Sequence, residues 1–233
     1  MIRLSPTSGL NLYRECPKCF RLHYNEKVQR PRGIFPSLPG GMDLVIKKYF
    51  DQYRGKLPPE IEGKVTGKLL PDLALMEKWR NWRTGLEYCD KKLDATLFGA
   101  LDDCLLDGDC YIPLDYKTKG SSPKDGDSEK YYQTQLDAYS FLLNSNGYKT
   151  GDFAYLVYYY PDEVTKNGVV RFSVTPVKVE TNLKRAEKTF RDAVGLLKGS
   201  MPKNDTGCEY CSWVSDRVEF EYKPDVVQQG GIG

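Results

Sequence analysis

The sequence predicts an α/β sandwich, a mixed β-sheet with helices packed on both sides, and three observations predict it. Helix-patterned segments with apolar stripes dominate the first third and recur after the strand-like runs. Asp107-Gly108 separates two apolar strand-like runs, a short-range hairpin signal. A helix-patterned stretch then stands between that hairpin and two further strand-patterned runs, the order that layers helices against a sheet.

Taken in order, residues 5–24 read as a helix. Ser5, Thr7 or Ser8 can cap it, and Leu10, Leu12, Tyr13, Cys16, Phe20 and Leu22 form its apolar stripe. Pro31, Pro36, Pro39, Gly40 and Gly41 mark an irregular stretch over 25–41. A helix over 42–55 would turn Met42, Val45, Ile46, Tyr49 and Phe50 inward; 56–71 reads as a loop and 72–84 as a helix. Three strands follow in series at 86–92, 94–106 and 109–117. A polar loop, KGSSPKDGDSEK, leads into a helix over 128–145. Strands at 152–160 and 169–178 meet at a turn containing Asn167-Gly168, and a long helix covers 181–198. Residues 1–224 are expected to form a single domain, with 225–233 a flexible tail.

Composition narrows the function classes. The 233 residues are 40% hydrophobic and 28% charged, ordinary for a globular chain that can bury a core. The apolar runs are too short to span a bilayer, and the N-terminus has no secretory h-region, so a cytoplasmic protein without a membrane partner is expected. A net charge of +2 argues against binding nucleic acid by bulk charge but leaves room for a local basic groove. His23 is the one histidine, so any chemistry must come from carboxylates, Lys, Tyr or Cys.

Asp115-Tyr116-Lys117 sits at the end of a predicted strand, where residues two apart share a face. Asp115 and Lys117 would project together, with Leu114 and Tyr116 on the opposite layer. A carboxylate can hold a divalent metal while a lysine orients or activates water and offsets phosphate charge; the bland alternative is a strand-end ion pair. Asp102, in Gly99-Ala100-Leu101-Asp102 on the preceding strand, would reach the same place, and two such carboxylates suit Mg²⁺ or Mn²⁺. Asp103 alternates away and reads as solvated. Gln135 and Tyr139, four apart on the following helix, share a face and could bind a phosphate or a water at the metal.

These three motifs, in this order, resemble the PD-(D/E)XK nuclease superfamily and, within it, the RecB-like exonucleases: a G-x-x-D strand (Gly99 to Asp102), a (D/E)-x-K strand (Asp115 to Lys117) and a Q-x-x-x-Y helix (Gln135 to Tyr139). The resemblance implies a restriction-endonuclease-like fold, a mixed central sheet flanked by helices. It also implies metal-dependent DNA hydrolysis, with Asp102, Asp115 and the Tyr116 backbone carbonyl as metal ligands and Lys117 as the catalytic lysine. Gln135 and Tyr139 would position the phosphate. RecB-like members often carry a further His ligand in a G-x-x-x-H context. Here the matching stretch is Gly40-Gly41-Met42-Asp43-Leu44, so Asp43 is the expected substitute, although it also suits a helix N-terminus.

Two C-x-x-C pairs, Cys16/Cys19 and Cys208/Cys211, lie near opposite ends of the chain. Four thiolates can surround one zinc ion or hold one 4Fe–4S cluster. Resemblance to the RecB-like nucleases of CRISPR adaptation loci and of AddAB helicase–nucleases implies the cluster, as a staple between the two ends. Those relatives usually divide their cysteines one and three, so a structural Zn²⁺ remains the alternative. Cys89, Cys104 and Cys110 read as small buried thiols.

Arg14, Lys18, Arg21, Lys27, Arg30, Arg32, Lys47, Lys48, Lys119 and Lys124 could track a DNA backbone. Tyr131 and Tyr132 could stack on unpaired bases, whereas Tyr158 to Tyr160 read as sheet packing. The expected function is a single-stranded DNA exonuclease of repair, recombination or CRISPR-type defence, with partner proteins from those pathways. The rivals are a structure-specific endonuclease and a non-catalytic DNA-binding or assembly module that keeps the fold.

Overall fold

A computed structural model describes residues 1–33, 36–204 and 207–221; the predicted tail over 225–233 lies outside the described residues. Strand β1 (Ile2–Leu4) opens the chain, ahead of a π-helical turn (Pro6–Asn11), α1 (Leu12–Glu15) and α2 (Pro17–Asn25). The single helix expected over 5–24 is thus broken at Cys16, which is extended (φ −160°). Pro17 disfavours the helical conformation in the residue before it, and Cys16 then caps α2 by accepting from the Cys19 amide at 3.3 Å.

Helix α3 (Ser37–Phe50) starts before its predicted position and runs into a short 3-10 turn (Asp51–Tyr53). Pro39 sits in its first turn, where no backbone N–H is required, so the Pro-Gly-Gly run starts a helix here instead of interrupting one. Strand β2 (Lys68–Leu69) lies in the stretch read as loop, and α4 (Leu73–Arg80) follows.

The strand expected over 94–106 is two strands in different sheets. After β3 (Leu86–Asp90), β4 (Ala95–Gly99) pairs with β1 and β3, whereas β5 (Asp103–Asp107) pairs with β2 and β6 (Cys110–Thr118). Gly99 ends β4 where a Cβ would come within 2.8 Å of Leu142 Cδ1. The chain crosses between sheets over 100–102, the segment that carries Asp102. The β5–β6 hairpin turns at Gly108, whose φ of +61° few other residues adopt without strain.

Helix α5 (Asp127–Ser145) carries the chain from β6 to β7 (Phe153–Val164), which runs parallel to β6 and pairs Asp115 with Leu156 and Lys117 with Tyr158. Strand β8 (Val170–Glu180) returns antiparallel, and α6 (Leu183–Lys198) packs on α5. The strand orders are β1-β4-β3 and β2-β5-β6-β7-β8, so the α/β layering holds with two mixed-class sheets where one was expected. Leu136, Leu142, Leu156 and Phe190 belong to one core; Ile46, Phe50, Ile112, Leu114 and Val157 belong to the other. Helix α7 (Glu209–Glu221) ends the described chain; its apolar Trp213, Val214 and Val218 are exposed, so no buried stripe announces it. Among the described residues, no helix is long and apolar enough to cross a membrane.

Candidate active site

Alternation along β6 divides its end between two layers. Leu114 and Tyr116 join the core beneath α3, and Asp115 and Lys117 turn the other way. Asp115 is fully buried. Its Oδ1 accepts from Gln135 Nε2 at 2.8 Å, and its Oδ2 pairs with the Lys117 ammonium. The same Gln135 amide donates to Tyr139 Oη at 2.8 Å. Gln135 and Tyr139 are themselves buried behind Asp115. Their side chains thus reach the Asp115 carboxylate and each other, where a phosphate or water contact was expected for them.

Asp102 approaches from the crossing between sheets, and the Tyr116 backbone N–H donates to its Oδ2 at 3.4 Å. Two carboxylates consequently share a poorly hydrated space. Burial, and then the neighbouring Asp102 charge, push the Asp115 carboxyl up to about 7 against the opposing pull of Lys117. Burial alone would lower the Lys117 ammonium, but Asp115 and Asp102 outweigh it and the group is raised, so Lys117 keeps its proton. Burial and the same two carboxylates raise Tyr139 well above its ordinary value. A buried carboxylate beside a second carboxylate suits a hard divalent cation with oxygen ligands.

Asp103 alternates to the other face as expected, but it is not solvated there. It is 0% exposed and lies at the centre of a charged network on the other side of β6. Arg54 Nη1 and Nη2 reach its two oxygens at 2.7 and 2.5 Å, Arg80 Nη2 reaches Oδ2 at 2.9 Å, and Tyr116 Oη donates to Oδ2 at 2.6 Å. Both arginines also bind Asp51, and Arg80 Nε donates to the Asp102 carbonyl at 2.7 Å. This network holds the crossing segment and β6 together. The sequence reading missed Arg54 and Arg80; the only available signal was a second Asp beside Asp102.

Asp43 and Lys47 lie four apart on α3 and face the same pocket. Lys47 Nζ stands 2.8 Å from Asp43 Oδ2 and 2.8 Å from Asp102 Oδ1. Asp43, Lys117, Thr118 and Tyr132 line a cavity of about 330 Å³, and the Lys117 ammonium sits 4.8 Å from the centroid of the Tyr132 ring. Asp43 is therefore at the pocket, but its carboxylate reaches Asp102 through Lys47.

The four cysteines converge on a site of their own. Sγ distances are 3.6 Å for Cys16–Cys211, 3.7 Å for Cys19–Cys208 and 3.8 Å for Cys19–Cys211. All four sulfurs lie within 4.8 Å of one another, the one such group of His, Cys, Asp or Glu ligand atoms among the described residues. Burial raises the Cys208 thiol, but the Cys211 amide and the neighbouring thiols outweigh it and bring it down to about 7, towards the thiolate that binds metal. Arg30 Nη2 donates to Cys208 Sγ at 3.5 Å while its guanidinium lies over the Tyr210 ring. Cys104 is buried as expected and Cys110 half-buried; Cys89 is exposed, near Thr96 Oγ1 at 3.0 Å.

Several of the basic residues expected on DNA have partners within the chain. Arg21 donates to the carbonyls that end α6, Arg30 pairs with Glu15, and Lys119 pairs with Asp127. Tyr158 and Tyr159 are buried in the sheet, whereas Tyr131 is exposed beside the pocket residue Tyr132.

A family model described as the PD-(D/E)XK nuclease superfamily matches residues 45–215, a span that contains Lys47, Asp102, Asp115, Lys117, Gln135 and Tyr139. No curated protein sequence matches the chain.

Proposed function

Given that the chain belongs to the PD-(D/E)XK nuclease superfamily, we propose that it is a deoxyribonuclease that cleaves phosphodiester bonds with Mg²⁺ or Mn²⁺, acting as a RecB-like exonuclease on single-stranded DNA. The observation that carries this reading is the meeting of Asp102, Asp115 and Lys117 at one place, with the Asp115 carboxylate fully buried between the Lys117 ammonium and the Asp102 carboxylate. Asp102, Asp115 and the Tyr116 carbonyl would hold the cation. Bound there, it supplies a water of lowered pKa and a Lewis acid for a phosphoryl oxygen.

The chain's own groups then have separate tasks. Gln135 fixes the rotation of the Asp115 carboxylate, and Tyr139 holds Gln135. Lys117 stays protonated and offers its charge to the phosphate. The Asp103 network keeps the crossing segment against β6. Tyr132 beside Lys117, with exposed Tyr131 next to it, provides aromatic faces for unpaired bases, which supports a single-stranded substrate.

For the four cysteines we infer a single zinc ion. Zinc–sulfur bonds of about 2.3 Å in a tetrahedron set sulfurs about 3.8 Å apart, and the three Sγ distances of 3.6, 3.7 and 3.8 Å match that edge. A 4Fe–4S cluster must fit four irons and four sulfides between its thiolates and needs a wider cage. In this reading residues 1–224 act as one nuclease domain whose ends the metal joins, working in the reducing cytoplasm in DNA repair, recombination or CRISPR-type defence.

The test is cleavage of end-labelled linear single-stranded DNA with Mg²⁺ or Mn²⁺ by wild type and Asp115→Ala. Cleavage lost in the variant supports the enzyme; equal signals would leave a non-catalytic DNA-binding module. Circular single-stranded DNA stays intact with an exonuclease and is cut by an endonuclease.

A further inference from the structure

Lys47 stands between two carboxylates of the site, and the proposed chemistry gives it no task. Its aliphatic stem runs along α3, and its ammonium is largely shielded from solvent between Asp43 and Asp102. An Asp–Lys pair four apart on an exposed helix face stabilises that helix slightly and has no further consequence. This pair differs because its third partner, Asp102, comes from the crossing between the two sheets and also accepts from the Tyr116 amide.

Resting on the nuclease reading, we propose that the Lys47 ammonium takes the place of a second divalent cation, so that this is a one-metal site. Two carboxylates from different elements, 2.8 Å on either side of one positive charge, are the arrangement that would otherwise clamp a second ion between Asp43 and Asp102. Charge leads to the same conclusion. With Asp115 ionised, as it would be on a bound cation, Asp43, Asp102 and Asp115 against Lys47 and Lys117 leave the pocket one negative charge. One divalent cation and one phosphodiester then bring it to neutrality, whereas a second cation leaves a substantial excess of positive charge.

The experiment is Mn²⁺ binding to the full chain with its cysteine metal in place, followed by electron paramagnetic resonance of free Mn²⁺. Wild type is expected to bind one Mn²⁺, Lys47→Met two, and the double variant Lys47→Met/Asp43→Asn one again. Two bound by wild type overturns the role of Lys47 and leaves the nuclease reading intact. One bound by a Lys47→Met protein with unchanged circular dichroism overturns it as well. No Mn²⁺ bound by wild type, with no cleavage of DNA, overturns the nuclease reading and this proposal with it. The wild-type count needs no variant to fold.

Discussion

The Tyr116 phenol donates to Asp103 Oδ2 across 2.6 Å, on the face of β6 opposite Asp115 and Lys117. The residue between the two site residues is therefore tied to the buried network that also holds the Asp102 carbonyl. Tyr116→Phe keeps the edge-on contact with Phe50, at 4.7 Å between centroids, and removes one hydrogen bond to a charged acceptor. The expected cost is about 1.5–3 kcal/mol, read as a lower urea midpoint at unchanged slope. Phe and Tyr proteins of equal stability would show that the phenol contributes nothing.

Arg54→Met should be the most damaging substitution on that side of the strand. Arg54 covers both oxygens of Asp103, which is fully buried. Removing one partner of a buried pair leaves an uncompensated charge and costs about 3–5 kcal/mol. Denaturation with urea measures it. Asp103→Asn in the Arg54→Met background should recover part of the loss, because the orphaned charge is then gone.

Acid should weaken this network in a defined direction. Burial raises the Asp51 carboxyl, but hydrogen bonds from Arg80 and Arg54, and their charges, outweigh it and hold the group below its ordinary 3.8. A lowered folded value contributes stability that is fully present above the unfolded value and is lost as pH falls through the folded one. Stability of wild type should therefore fall on acidification below about pH 4 more steeply than that of Asp51→Asn. Melting curves over that range decide; parallel curves would remove Asp51 from the acid response.

The parts legible in the sequence are those with a local period. The two-residue repeat of β6 puts Asp115 and Lys117 together, the four-residue repeat of α5 puts Gln135 with Tyr139, and Asp107-Gly108 marks the hairpin. What escaped depends on distant partners. Asp103 looks solvated until Arg54 and Arg80, 49 and 23 positions away, are brought to it. Lys47 looks like one more DNA-binding cation until the crossing over 100–102 delivers Asp102. That crossing was itself hidden, since β4 and β5 have the same apolar character and only their membership of different sheets separates them. In α7 the exposed Trp213, Val214 and Val218 remove the stripe that would have announced a helix.

Gln135→Met should separate positioning from folding. Met fills a similar volume, but Asp115 Oδ1 and Tyr139 Oη lose their common donor. Partners that orient a metal ligand are typically worth about 10–100-fold in activity or metal affinity. We expect kcat on single-stranded DNA to fall by that factor with KM little changed, because Gln135 lies behind the carboxylate and not against the substrate. A rise in KM at constant kcat would return Gln135 to the phosphate-binding role.

The cysteine metal is testable by two measurements that need no substrate. Cys16 and Cys211 are 195 positions apart, yet their sulfurs lie 3.6 Å from each other, so whatever binds them closes almost the whole described chain into a loop. Such a site rarely exists in the unfolded state, and metal binding energy then becomes folding energy. Cys208→Ser should lower the melting temperature well below that of Cys89→Ser, since Cys89 is exposed and outside the cluster. Equal melting temperatures would remove the staple. Elemental analysis of anaerobically purified protein should find one zinc per chain and no broad visible absorption. Four irons with inorganic sulfide, in brown protein that bleaches on oxidation, would show that the thiolates open to admit a cluster. Chelation at neutral pH should destabilise wild type and leave Cys208→Ser nearly unchanged, because the variant has already lost one thiolate.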